Sequence, residues 1–247
     1  MDRCAQPGPS RRSVLAAASL ALGALAAARP AWAQGAAAPK IGVVGSGKIG
    51  GTLAMLWVKA GHEVFVSSRH PDELKDMVAR LGPLARAGTP EEAVRFGDAV
   101  LIAVPYKAYP QLGQELGKGL AGKIVLDAGN ATAARDGQEL LDETKREGIG
   151  RTSAKYLPGA RVVRAFNSLG AQVLAREANR EGARLAIPLA GDDGRALDVA
   201  AALVRDAGFD PVVVGGLDRA DEFSMGAKGY GQNVSAPELR KTLGLPR

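Results

Sequence analysis

Cysteine, histidine and aromatic residues are scarce in this sequence. It has one cysteine, Cys4, two histidines, His62 and His70, and only 4% Phe, Trp and Tyr. Cys4 lies in an N-terminal stretch predicted to be removed. The mature chain is therefore expected to hold no disulfide, no thiolate metal site and no cysteine nucleophile. So few aromatics offer no stacking platform for single-stranded nucleic acid, and no nucleic-acid partner is expected. Long apolar runs are missing too. Val14 to Ala28 is apolar apart from one serine and one glycine, and it falls short of the ~20 residues of a bilayer span. No stable membrane span is expected after cleavage.

What is present begins with "SRRSVLA" (Ser10 to Ala16). Paired arginines, Arg11 and Arg12, precede a mild Ala-rich core. "ARPAWAQ" follows, with Ala31 and Ala33 as the small residues of an A-x-A cleavage site. The pattern predicts a twin-arginine signal peptide over residues 1–33, cleaved after Ala33. The chain would be exported through the twin-arginine machinery, to the periplasm or beyond. Half of the +6 net charge comes from Arg3, Arg11, Arg12 and Arg29 against Asp2. The basic balance therefore says little about the mature protein's partners.

Residues 34–39 ("QGAAAP") read as a linker. Beyond it, short Val- and Ile-rich runs alternate with helical patterns. The expected strands are Lys40–Val44, Glu63–Ser67, Ala99–Val104, Lys123–Asp127, Arg161–Phe166, Leu185–Ala190 and Pro211–Val214. They are apolar almost throughout, as strands are when both faces of a parallel sheet are covered. Ile49, Leu53, Trp57 and Ala60 keep one helical face, and Ala196 to Ala207 does the same. The alternation predicts an α/β fold, a doubly wound, mostly parallel sheet over residues 40–215. Residues 216–247 read as a short helical tail, ending in "APELRKTLG", packed on the same domain.

"KIGVVGSGKIGG" places Gly45, Gly47 and Gly50 as G-x-G-x-x-G, directly after a strand and at the start of a helix. That is the context a dinucleotide cradle needs. The first glycine turns the chain, the second admits the pyrophosphate, and the third lets helix and sheet approach. Ser46, Lys48 and Ile49 complete the loop, whose helix start offers N–H groups and a positive dipole. The second strand ends in Ser67, Ser68, Arg69 and His70 instead of the Asp or Glu of an NAD site. Hydroxyls and a guanidinium suit a 2′-phosphate, so the expected cofactor is NADP(H), chosen by Ser68 and Arg69.

Three strand ends would face the ligand. They carry Val104, Pro105 and Tyr106; Ala128, Gly129 and Asn130; and Ala165, Phe166 and Asn167. Val104, Pro105 and Asn167 are expected to shape the nicotinamide end. Pro105 and Gly129 read equally well as plain turn residues. Neither histidine lies where a substrate carbonyl would be protonated: His62 reads as a surface residue ahead of the second strand, and His70 as a solvated one. Lys155 and Lys228 are conceivable acids but read as surface charges, so no catalytic residue is assigned. Without a positioned acid, a redox-ring acceptor is favoured over an alcohol or hydroxy acid. Asp192 and Asp193 read as a loop and helix cap, and no metal is expected.

"IGVVGSGKIGGTLA", "GHEVFVSSR", "DAVLIAVPY", "VLDAGN", "VVRAFNSLGA" and "IPLAGDD" occur in this order. Together they resemble the NADPH-dependent coenzyme F(420) reductase family over about residues 40–245. The resemblance implies a Rossmann-like fold, NADP(H), and hydride exchange with a deazaflavin. It implies a loop hydroxyl at Ser46 and a Ser-Arg pair at Ser68 and Arg69 for the 2′-phosphate. Membrane ferric reductases share this fold and pass NADPH electrons to a flavin, and family members are often dimers. The small-molecule acceptor is thus expected to be a flavin, a deazaflavin or a related ring. The alternative is an exported NADP-binding or sensor module without turnover.

Overall fold

Val43 and Val44 point to opposite sides of one sheet, and each is wholly buried. Successive strand residues face opposite ways, so such a run requires a covered layer on both faces. The computed structural model provides them. It describes residues 38–246 and Met1. The expected signal peptide and the linker as far as Ala37 lie outside the described residues.

Eight strands form the sheet: β1 (Ile41–Val44), β2 (Val64–Ser67), β3 (Ala85–Gly88), β4 (Ala99–Ile102), β5 (Ile124–Asp127), β6 (Arg161–Arg164), β7 (Ala186–Gly191) and β8 (Asp210–Gly215). Their spatial order is β3-β2-β1-β4-β5-β6-β7-β8. All pairs are parallel except β6 with β7, which are antiparallel through Val163↔Gly191 and Arg164↔Ala190. Ile41, Val43, Leu101, Leu126 and Val163 face one core, with Leu53 and Trp57 from the helix Lys48–Lys59. Val44, Val100, Ile102 and Val125 face the other, with Leu112, Leu116 and Leu120 from the helix Tyr109–Leu120.

Seven strands lie where the sequence places them. β3 has no counterpart among the expected strands. Its sequence is ARAG, without an apolar run, and it is an edge strand with Arg86 exposed. The sixth strand stops at Arg164, two residues earlier than expected, because Phe166 turns to φ +61°.

His62 differs from expectation. It is buried, not on the surface: Nδ1 lies 2.9 Å from the Pro39 carbonyl and Nε2 3.1 Å from the Asp206 carboxylate. It joins the start of the domain to the end of the helix Gly194–Asp206. The tail packs on the same unit, residues 37–247. Leu217, Ala220, Phe223, Leu239 and Leu243 are buried in the second core. Among the described residues no helix is long and apolar enough to cross a membrane.

Candidate nucleotide site

The sheet order reverses between β1 and β4. In open α/β sheets the crevice outside the strand carboxyl ends at that reversal receives the ligand. The glycine loop leaves β1 there. Gly45 has φ +101°, and a Cβ on it would lie 2.5 Å from the Ala103 carbonyl oxygen. A Cβ on Gly50 would lie 1.9 Å from the Gly45 carbonyl oxygen. Both positions are closed to a side chain by packing. Gly47 is different: a Cβ there would meet nothing within 4 Å. Its smallness keeps space open above the loop, as a closely approaching phosphate requires.

Gly47 is the N-cap of the helix Lys48–Lys59. No side chain caps that end, and its first turn holds no acid. The first helical N–H groups of Lys48, Ile49 and Gly50 therefore have no intrahelical partner. Together with the helix dipole and the exposed Lys48 they make an anion cradle.

The end of β2 separates the candidate hydroxyls. Ser67 is buried and its Oγ donates to the Val43 carbonyl at 2.8 Å, so it ties β2 to β1 and is not a ligand. The half-buried Ser68 Oγ accepts the His70 N–H at 3.1 Å and keeps its own proton free to donate. Arg69 is exposed and makes no ion pair among the described residues. A hydroxyl and a free guanidinium beside a cradle fit a 2′-phosphate. His70 is exposed.

A cavity of about 380 Å³ opens at the same ends of β4, β5 and β6. Lys48, Ile49, Val104, Pro105 and Asn167 all line it. Gly45, Ser46, Ser68 and Arg69 are not in its wall; they lie along the loop and at the β2 end. Pro105 caps the short turn Tyr106–Ala108 and also forms the wall. Gly129 is required: a Cβ there would sit 2.2 Å from the Tyr109 hydroxyl. A second cavity, about 420 Å³, lies near Glu91, Arg95 and Lys123, away from these strand ends.

Several wall residues escaped sequence reasoning. Among them, Thr132 and Arg135 come from the short helix Ala133–Asp136 and its N-cap after β5, and Met225 and Tyr230 from the tail. The tail loop is pinned to the site, because the Gly231 N–H donates to the Ser168 carbonyl at 2.9 Å. No local pattern in the sequence marks these residues; Met225 stands out only in the structure, where it is exposed. Lys155 is elsewhere, bonded to Glu143 at 2.8 Å and Glu147 at 3.1 Å. Lys228 approaches Glu222 at 3.9 Å. Neither lysine and neither histidine lines the cavity. Asp193 caps the helix Gly194–Asp206 through the Ala196 N–H, and Asp192 accepts from the Leu217 N–H and from Arg151.

Beneath the cavity floor lies a buried charged group. Asp127 and Arg164 face each other across β5 and β6 and are both 0% exposed, with Oδ2 and Nη1 2.7 Å apart. The two atoms touch without good hydrogen-bond alignment, so their attraction is mainly Coulombic. Tyr109 donates to Asp127 Oδ1 at 2.5 Å, and the Gly129 N–H donates to the same oxygen at 2.9 Å. Burial first, and the Asp127 charge second, push the Tyr109 hydroxyl well above its ordinary value, so it stays a donor. Burial pulls the Arg164 guanidinium down, yet the Asp127 carboxylate holds it above its ordinary value.

Residues 40–131 match the family described as NADP oxidoreductase, coenzyme F420-dependent. The match spans the cradle, the β2 end, Val104, Pro105 and Gly129. The chain is 33% identical over 192 residues to metalloreductase STEAP3 of Rattus norvegicus, covering 75% of this chain and 36% of that protein. The chain spans about a third of the length of the curated relatives it matches. Protein SMa0349 from Sinorhizobium meliloti shares its fold with a TM-score of 0.69 and 27% identity, over 80% of this chain and 96% of that one. The imine reductase of Myxococcus stipitatus in complex with NADP+ has the same fold at 18% identity and a TM-score of 0.55, over 74% of this chain and 59% of that one.

Proposed function

We propose that this protein is an exported NADP(H)-dependent oxidoreductase whose second substrate is a planar redox ring, a flavin or a deazaflavin. The observation that carries the reading is the continuity of the site. An uncapped helix start, whose Lys48 and Ile49 line the cavity at the sheet's reversal point, follows an open Gly47, and a free Arg69 stands at the end of the neighbouring strand β2. NADP(H) would supply hydride transfer there.

The chain's own residues do the rest. The N–H groups that open the helix Lys48–Lys59 bind the pyrophosphate, with Gly45, Ser46 and Gly47 giving it room. Ser68 and Arg69 bind the 2′-phosphate. Val104 and Pro105 bury the ring and exclude water, and Met225 and Tyr230 offer apolar and aromatic surface to the second ring. No histidine is placed to protonate a carbonyl, which supports an acceptor that needs little proton transfer.

The twin-arginine leader suits this reading. Such a route carries folded proteins, so the domain leaves with its nucleotide already bound. Purified exported protein is expected to retain NADP(H), exchanging slowly. The test of function is steady-state NADPH oxidation across a panel of flavins and deazaflavins. Turnover with at least one ring acceptor is expected. Tight NADPH binding without turnover on any of them would make the protein a nucleotide-binding or sensor module instead.

A further inference from the structure

Among the described residues, the charged side chains in the cavity wall are Lys48 and Arg135, and both are cationic. Lys48 belongs to the phosphate cradle that follows β1. Arg135 does not. It lies on the short helix Ala133–Asp136 that follows β5, and β4 stands between β1 and β5. That helix therefore leaves the sheet two strand spacings, about 10 Å, from the cradle.

Arg135 is held in place by its neighbours. Its Nε donates to Asp136 Oδ1 at 3.1 Å and to Oδ2 at 3.0 Å. Nη2 donates to Asp136 Oδ2 at 2.8 Å and to the Asn130 carbonyl. Nη1 has no partner among the described residues, and the side chain is 46% exposed. Asp136 is 0% exposed and also accepts the Thr132 N–H at 2.8 Å and the Lys107 N–H at 3.1 Å. Burial works to raise its carboxyl, yet the bonds from Arg135, Thr132 and Lys107 hold it below its ordinary value. The carboxylate is thus committed within the turn, while one edge of the guanidinium stays unbonded.

A mobile arginine gives up rotamer freedom when it binds an anion, and one already fixed gives up less. A neutral ring offers such a fork no anionic oxygen to accept its N–H groups. The nucleotide's phosphates are assigned to the glycine loop and to Ser68 and Arg69, so Arg135 is left for the second substrate.

We propose that Arg135 is a specificity-determining residue for that substrate, and that the redox ring accepted here bears an anionic side-chain group, a phosphate or a carboxylate, bound by Arg135 Nη1. The proposal rests on the ring-acceptor reading above and deepens it: a ring with a neutral side chain is disfavoured.

The experiment measures binding, not turnover. Flavin mononucleotide and riboflavin share one ring and differ by a 5′-phosphate. The full chain is saturated with NADP+, so that no hydride passes, and is titrated with each oxidised flavin; quenching of flavin fluorescence reads the affinity. Wild type is expected to bind flavin mononucleotide about tenfold more tightly than riboflavin at low ionic strength, the range of one charge-assisted hydrogen bond. High salt shrinks that advantage. In Arg135→Gln the ratio falls to about one, and Arg135→Lys restores part of it. Equal binding by wild type, or tighter binding of riboflavin, overturns the proposal whether or not the variants fold. A wild-type ratio that persists in Arg135→Gln overturns the assignment of Arg135. A loss of NADP+ affinity in Arg135→Gln that matches the loss for flavin mononucleotide places Arg135 on the nucleotide and overturns it too. Binding of neither flavin by wild type contradicts the ring-acceptor reading, and this inference with it.

Discussion

In the proposed function, Arg69 carries most of the choice of nucleotide. It is exposed and free of ion pairs among the described residues, so its charge is available to a phosphate. Arg69→Glu replaces attraction with repulsion at the 2′-phosphate. NADP+ affinity should fall by about 30-fold or more, roughly 2 kcal/mol, while NAD+ affinity holds or improves. Calorimetric titration with both nucleotides reads this, and equal loss of both would sink the specificity argument. Asp127→Asn acts on stability instead. It leaves Arg164 buried without its counter-charge, at a cost of about 3–5 kcal/mol, visible as a lower urea midpoint. Gly45 and Gly50 were legible as the tight strand-to-helix turn because they belong to a local pattern. Asp127, Arg164 and Tyr109 were not. Their partners lie on neighbouring strands and on the helix Tyr109–Leu120, and "VVRAF" reads only as a strand. Ser67 and His62 show the same limit, because burial decides their roles and spacing along the chain does not report it.

The helix Lys48–Lys59 separates packing from binding through its glycines. Gly50→Ala drives a methyl into the Gly45 carbonyl, so the thermal midpoint should drop by several degrees and nucleotide binding should weaken with it. Gly47→Ala meets nothing in the protein. It should melt near wild type yet bind NADP+ at least tenfold more weakly, because the methyl occupies the phosphate's space. Similar melting losses in both variants would show that Gly47 is structural. At another element, the helix Gly194–Asp206 is capped by Asp193. The hydrogen bond from Arg161, and next the Ala196 N–H, lower its carboxyl to about 2. A folded value below the unfolded one gives stability that is full above the unfolded value near 3.8 and lost as pH falls toward about 2. Asp193→Asn should therefore flatten the decline of the urea midpoint over that window; an unchanged slope contradicts it. Helices with caps and regular apolar spacing were legible. β3 was not, because an edge strand of small residues is defined by its pairing with β2.

For the whole molecule, the alternation of strands and helices was enough to foresee a doubly wound sheet. The antiparallel β7 was not foreseeable, since a fully buried strand reads the same in either direction. Nor was the tail's part in the site. Met225 and Tyr230 reach the cavity only because Leu239, Leu243 and Phe223 anchor the tail in the second core. The matched stretch 40–131 holds the glycine loop, while the rest of the wall comes from Thr132 and Arg135 after β5, from residues 166–171 after β6 and from the tail. On the proposed function, nucleotide choice and acceptor choice would sit in different parts of the chain. Tyr230→Ala should raise KM for a ring acceptor several-fold and leave NADPH affinity unchanged, read by steady-state kinetics beside a binding titration.

The account turns on one cavity whose cradle is built for NADP(H). The most direct measurement is the affinity of the purified wild-type chain for NADP+ and for NAD+ under one buffer. The account predicts NADP+ binding at least tenfold tighter. Equal affinity, or a preference for NAD+, would contradict it.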